Sequence, residues 1–266
     1  MPISEDVSLF AAFNPLTRFA AVSDLILNHD SQVAVSHHQK ETLRVLSWNI
    51  AKNNHRQHWQ REFRQLILSH QPDKIFLQEA RLCARSAQSK DKRAFGLSDI
   101  APTLSWSFAP NFIDTVTNTY SGVLTATATR RVSSRSLTTS HTEPILQTPK
   151  ATLLAEYSLS DCSDNLLTVN THLINFVGLS KFEAQLQVIE QVLKKHTGAI
   201  ILSGDFNTWN SSRWQMLRRM AARLQLSAVS FEPKDISKIK NFLLSPPLDH
   251  IFYRGFTQKK TERHSD

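Results

Sequence analysis

Residues 199–207 read Ala199-Ile200-Ile201-Leu202-Ser203-Gly204-Asp205-Phe206-Asn207. An apolar run of strand length breaks here into ligand-type side chains, and a strand end is where a rigid scaffold hands groups to a site. Gly204 lets a neighbour approach the backbone closely. Asp205 and Asn207 fall on one side if the chain stays extended, because strand side chains alternate. One such strand end means little by itself. Four others share the pattern: Ser47-Trp48-Asn49, Leu77-Gln78-Glu79, Val169-Asn170-Thr171-His172 and Leu248-Asp249-His250. Together they predict a convergent polar pocket.

Taken singly, each has a plainer reading. Asn49 reads as a turn former after a strand, and Glu79 as the start of a loop. Asn170 and His172 lie two residues apart and share a face. That pairing makes a candidate acid or phosphate ligand of a histidine that alone would be structural. Asp249 and His250 point to opposite faces, so at most one of them reaches a given site.

Around these ends the chain alternates strand and helix patterns. Strand-type runs cover 43–48, 74–78, 104–108, 122–129, 151–157, 166–172, 199–203 and 248–253. Trp59, Phe63, Leu66 and Ile67 mark a helix over 55–70, broken by Pro72-Asp73. Leu179, Phe182, Leu186, Ile189 and Leu193 mark a second, with Gly198 as its C-terminal cap. Trp214, Leu217, Met220 and Leu224 mark a third. Helices covering packed sheets fit this mixture. Residues 1–42 show weak periodicity and read as a leader, leaving 43–266 as the domain.

Composition narrows the setting. The 266 residues suit one large domain or two small ones, and 41% hydrophobic with 20% charged residues exclude disorder and fibres. No run reaches the ~18–20 apolar residues of a membrane span. The apolar stretch 9–27 is interrupted by Asn14, Pro15, Arg18 and Asp24 and lacks a signal-peptide pattern, so a cytoplasmic protein is expected. Cys83 and Cys162 are too few for a disulfide framework or a cysteine zinc site. The formal net charge of +8 fits a polyanionic partner. Arg130, Arg131, Arg135, Lys194, Lys195, Arg213, Arg218, Arg219 and Arg223 are candidate phosphate contacts, although such charges on helices are more often a solvated face.

The ordered set Leu46-Ser47-Trp48-Asn49, Leu77-Gln78-Glu79, Ser121-Gly122-Val123, Asn170-Thr171-His172, Gly204-Asp205-Phe206-Asn207 and Leu248-Asp249-His250-Ile251-Phe252 resembles the endonuclease/exonuclease/phosphatase family of metal-dependent phosphoesterases. The resemblance covers residues 43–255, and 170–176 and 248–255 look most like a bacterial cytoplasmic subgroup. It implies an α+β fold: a four-layer α/β/β/α sandwich of two mainly antiparallel sheets. Glu79, with Asn49 nearby, would hold Mg²⁺ or Mn²⁺, a hard cation suited to oxygen donors. Asp205 would orient or deprotonate the attacking water, and Asn207 would donate to the phosphoryl oxygens. His172 and Asn170 would bind phosphate, with His172 able to protonate the leaving oxygen. Asp249 would buttress a catalytic histidine. The implied partner is nucleic acid or another phosphoester substrate, met by a monomer.

By the same resemblance, the family's last core strand carries Ser-Asp-His and supplies a general base. Residues 254–266 do not alternate apolar and polar side chains, and Ser265-Asp266 has no histidine after it. A domain truncated at its C-terminus is therefore expected, with His250 and His264 as poor substitutes. Two functions follow. One is a metal-dependent phosphodiesterase acting on nucleic acid. The other is a phosphate- or nucleic-acid-binding scaffold without full hydrolytic machinery, with phosphoinositide or lipid headgroups as a further substrate class.

Overall fold

In a computed structural model, residues 18–33, 42–84, 103–159, 164–231 and 247–261 are described. Two six-stranded sheets pack face to face. The first contains β1 (Phe19–Ala21), β2 (Leu27–His29), β3 (Val45–Asn49), β4 (Lys74–Cys83), β5 (Ser105–Asp114) and β6 (Thr119–Thr127). Its order is β1-β5-β6-β4-β3, with β2 also paired to β5. The second contains β7 (Arg131–Thr138), β8 (Ala151–Tyr157), β9 (Leu166–His172), β10 (Ile200–Asp205), β11 (Ser227–Ala228) and β12 (Asp249–Arg254), in the order β11-β12-β10-β9-β8-β7. Each sheet holds one parallel pair, β3 with β4 and β9 with β10; the other pairings are antiparallel.

Helices form the outer layers. On α1 (Gln57–His70), Trp59 and Phe63 pack on Ile75, Leu77, Trp106 and Phe108 of the first sheet. On α2 (Leu179–Leu193) and α3 (Ser211–Arg223), Phe182, Leu186, Ile189, Leu217 and Met220 cover Val169, Ile200 and Leu202 of the second. Between the sheets, Phe76 meets Leu166 and Ile201, while Ala109 and Val123 meet Ala151 and Leu153. The expected four-layer sandwich is thus present. Among the described residues no helix is long and apolar enough to cross a membrane.

The sequence reading missed strands at the sheet edges and shortened two interior ones, since β4 and β5 run on to Cys83 and Asp114 past the expected ends at 78 and 108. β1 and β2, within the segment read as a leader, are three-residue strands added to β5. β7 is an outermost strand with mostly part-exposed Ser and Arg side chains. A strand with solvent along one side needs no clean alternation, so it escapes a period-two search. Gly198 does not cap α2, which ends at Leu193 with Lys194 as its C-cap. It is small because a Cβ there would lie 2.6 Å from the Asn165 carbonyl oxygen. The readings of His264 and Ser265-Asp266 lie outside the described residues.

Several charges read as phosphate contacts are committed within the fold. Arg223 donates to Glu190 through Nε and Nη2, at 2.8 and 2.7 Å, and Lys194 pairs with the same carboxylate at 2.9 Å. Arg131 pairs with Asp30 at 3.2 Å. The Arg223 hydrogen bonds, followed by those of Lys194, hold the Glu190 carboxyl down at about 2. A carboxyl with a folded pKa below its unfolded value stabilises the fold above the unfolded value and loses that contribution as pH falls through the folded one. Arg223→Met is therefore expected to lower the melting temperature at pH 7 and to have little effect near pH 2. Thermal unfolding followed by circular dichroism at both pH values checks this.

Candidate active site

Both parallel pairs end on the same side of the molecule, and their C-terminal ends meet there. Asn49 closes β3 and donates through Nδ2 to Asp205 Oδ2 at 2.9 Å, bridging the two sheets. Its Oδ1 accepts from the Ala51 N–H. In β4 the register with β6 shifts between Leu77 and Ala80, and Glu79 has φ 55°. Such a bulge re-aims a side chain and is found beside functional sites. Glu79 thus turns out of the ladder while its carbonyl accepts from the Lys52 N–H at 3.1 Å. Ala51 and Lys52 also have positive φ, at 45° and 63°. Strained non-glycine backbone of this kind collects at functional sites because the surrounding structure enforces it.

β9 and β10 place His172 beside Asp205, paired in register, with Nε2 and Oδ2 3.8 Å apart. Both residues are only 6% exposed. Burial, followed by Lys150 and Lys52, pushes the His172 imidazole well below its usual range, so it is neutral at pH 7. Burial raises the Asp205 carboxyl, while hydrogen bonds from the Asn207 backbone and Asn49 and the charge of Lys150 oppose the rise. The pair is a neutral imidazole next to a carboxyl that burial raises and neighbouring donors pull back.

Asn207 does not continue the strand. Its φ of 49° turns the chain back, its N–H donates to Asp205 Oδ1 at 2.9 Å, and its Nδ2 donates to the Leu173 carbonyl at 2.7 Å. The extended geometry read from sequence is corrected here: Asn207 joins the site by a turn. Asp249 is exposed at the start of β12 and is the cross-strand partner of Asp205, so the two share a face. His250 lies on the opposite face, accepting or donating with Thr208 Oγ1 at 2.8 Å and stacked on Trp214.

Asn170 is the clearest departure. It is fully buried between the sheets; Nδ2 donates to the Leu77 and Leu124 carbonyls at 3.2 and 2.8 Å, and Oδ1 accepts from Gln78 Nε2 at 2.8 Å. No donor remains for a phosphate. The expected phosphate contact is replaced by a brace on the strand segment that presents Glu79. Gly204 also serves a neighbour within the fold: a Cβ there would overlap the Thr171 carbonyl.

Three residues escaped sequence reasoning. Lys52 Nζ stands 3.6 Å from Glu79 Oε2, and Lys150 Nζ 3.2 Å from Glu143 Oε1. Both bring positive charge to His172. Lys52 follows Asn49 by three residues, which was the available signal. The third, Arg213, expected as a phosphate contact or a solvated charge, is instead fully buried. Its Nη1 donates to the Ile174 and Asn207 carbonyls at 3.0 and 3.1 Å, and its Nη2 to the Val177 carbonyl at 2.8 Å. It ties together the loops that leave His172 and Asp205. Lysine is a point charge that cannot span three carbonyls. Arg213→Lys is expected to destabilise the chain by about 2 kcal/mol, the scale of one or two buried carbonyls left unpaired, as measured by urea unfolding.

The Endonuclease/Exonuclease/phosphatase family model matches residues 46–266, which takes in the helices, the site and the strands from β3 onward, but not β1 and β2. The chain belongs to the endonuclease/exonuclease/phosphatase family. Members of the endonuclease/exonuclease/phosphatase family are metal-dependent phosphoesterases acting on nucleic acids or other phosphate substrates. The chain is 32% identical over 221 residues to the UPF0294 protein of Vibrio campbellii, covering 83% of this chain and 71% of that one. Its fold is similar to an endonuclease/exonuclease/phosphatase from Beutenbergia cavernae (TM-score 0.60, 15% identity, 80% of this chain), of which it spans less than two thirds, 64%. It is also similar to D. rerio TDP2 complexed with single strand DNA product (TM-score 0.55, 18% identity, 81% of this chain and 84% of that one).

Proposed function

We propose that this chain hydrolyses phosphodiester bonds of nucleic acid with the help of Mg²⁺ or Mn²⁺. The observation that carries this reading is the meeting of β3, β4, β9 and β10 at one point. There a buried carboxylate, Asp205, lies 3.8 Å from a neutral imidazole and accepts from Asn49 across the sheet interface. Residues 43–266 are the domain assigned this activity. The donor set fits a hard cation. Glu79 offers a part-exposed carboxylate and Asn49 an amide oxygen, and magnesium sites need only one or two carboxylates with the rest water. Among the described residues no three His, Cys, Asp or Glu side chains cluster, as a closed zinc site would require.

When bound, such a cation would polarise the phosphoryl oxygens and shield developing charge. The chain's own groups do the rest. Asp205 orients a water and accepts its proton, and His172, held neutral, donates a hydrogen bond to a phosphoryl oxygen while the leaving oxygen takes its proton from solvent. Lys52 and Lys150 hold the phosphate charge, Asn207 offers its second amide N–H, and Asp249 supports this edge of the site. Asn170 acts only through the strand that carries Glu79. The similarity of fold to D. rerio TDP2 with its DNA product favours nucleic acid over a headgroup.

One observation favours the second reading, a phosphate-binding scaffold without turnover: the Lys52 ammonium already stands beside Glu79. Hydrolysis of supercoiled plasmid and of a bis-aryl phosphodiester, with Mg²⁺ or Mn²⁺ and with EDTA, separates the two. Turnover that EDTA abolishes supports the phosphodiesterase. Binding of nucleic acid with no turnover under any of these conditions supports the scaffold.

A further inference from the structure

Two aromatic side chains stand at the rim of the site. Phe176 is 69% exposed and Trp209 is 43% exposed. Each lies four residues past a site residue, Phe176 after His172 and Trp209 after Asp205, on the loops that leave the adjacent parallel strands β9 and β10. Scattered exposed aromatics need no explanation, but here the Trp209 ring and the Phe176 backbone are both fixed in place. Asn175 Oδ1 accepts from Trp209 Nε1 and from the Phe176 N–H, each at 2.9 Å, fastening one loop to the other. The guanidinium of Arg213, held by its three carbonyls, lies 5.1 Å from the centre of the Trp209 ring. Phe176 has φ 54°, a conformation that a bulky residue adopts only under constraint. Its exposed ring contributes little to the core in return.

We propose that Phe176 and Trp209 form a preformed stacking platform for bases of a single-stranded nucleic acid whose phosphate lies at His172 and Asp205. This deepens the phosphodiesterase reading and rests on it for the position of the phosphate. Base stacking on aromatic rings is tolerant of sequence, and it works beside positive charge that follows the backbone. Lys52 and Lys150 supply that charge at the site, within a chain of formal net charge +8. Asn175 and Asn210 lie beside the rings, with the part-exposed Val177 and the exposed Leu179 following Phe176. Unstacked bases with free π-faces fit, whereas a paired duplex buries those faces in its own stack.

The test is binding in EDTA, where hydrolysis is blocked. The probes are a dT12 oligonucleotide and a 12-unit abasic phosphodiester of the same charge, read by fluorescence anisotropy. The wild-type chain is expected to prefer dT12 by on the order of tenfold, the scale of stacking one or two bases. Trp209→Ala and Phe176→Ala are expected to bind both probes alike, and Trp209→Phe to keep the preference. Loss of tryptophan quenching by dT12 in Trp209→Phe is a second readout. Leu68→Ala, an exposed apolar residue on α1, is the control and should keep the preference. Equal affinity of the wild-type chain for both probes overturns the platform, even if the chain hydrolyses phosphodiesters. Binding to anionic phosphatidylserine vesicles that is lost in Trp209→Ala, without a preference for dT12, also overturns it. A preference for dT12 lost in Trp209→Ala supports it, even if the chain turns over no substrate and the phosphodiesterase reading fails.

Discussion

Asp205→Asn is expected to lower phosphodiester turnover by about 10²–10⁴-fold, the scale of a lost general base, without unfolding the chain. The reason lies in the same burial that shapes the site. Asp205 accepts from Asn49 and from the Asn207 N–H, yet desolvation still raises its carboxyl. An acid whose folded pKa lies above its unfolded value destabilises the fold at pH values above both, because ionisation there is easier in the unfolded chain. Removing the charge while keeping the shape is expected to leave the melting temperature at pH 7 unchanged or raised. Turnover of a bis-aryl phosphodiester and thermal unfolding, measured on one preparation, check both halves. A variant that keeps full turnover would remove Asp205 from the chemistry, and one that is unfolded would make it a structural residue.

Gly204→Ala is expected to produce the largest loss of stability, about 3 kcal/mol or more, from overpacking and a strained backbone together. Gly204 has φ 152° and pairs with Thr171 in the parallel register of β10 and β9. An added Cβ would overlap the Thr171 carbonyl, which is backbone and cannot swing aside. The strands would have to separate between His172 and Asp205, so the loss of stability should come with a loss of the site. Gly178→Ala is the internal comparison. Nothing lies within 4 Å of a Cβ at Gly178, which caps α2 with φ −62°. Because glycine is favoured over alanine at an N-cap, replacing it should cost about 0.5–1 kcal/mol, well below the loss at Gly204. Urea unfolding of the two variants side by side decides whether close strand approach, rather than loss of a glycine, is what matters.

How far the residues could be read depended on how many sides of each element are buried. β8 and β9 were legible residue for residue, at Ala151–Tyr157 and Leu166–His172, and α2 was legible in its buried stripe though not in its end at Leu193. The two strands are central and the helix packs one clean stripe on them, so packing imposes a periodic pattern. β1, β2 and β7 were not legible, being short or outermost. Lys52 and Lys150 were missed as site residues because a lysine near a strand end has no local signature. Only the sheets meeting across the interface bring their charge to His172.

The strand ends were a property of the sequence alone. Apolar runs that break into Asn49, Glu79, His172, Asp205 and Asp249 determined which side chains a convergent site would draw on, since alternation along a strand is a local rule. Which of them face a cleft and which brace it was decided by the tertiary structure. Asn170 shares its face with His172, but two residues further inside the sandwich that face meets the other sheet, and its amide is spent on Leu77, Leu124 and Gln78. Arg213 looks in sequence like any helical surface charge, yet three backbone carbonyls from two loops converge on it. Unpaired buried carbonyls must find donors. Where they cluster is set by how distant segments pack, and no local pattern encodes it.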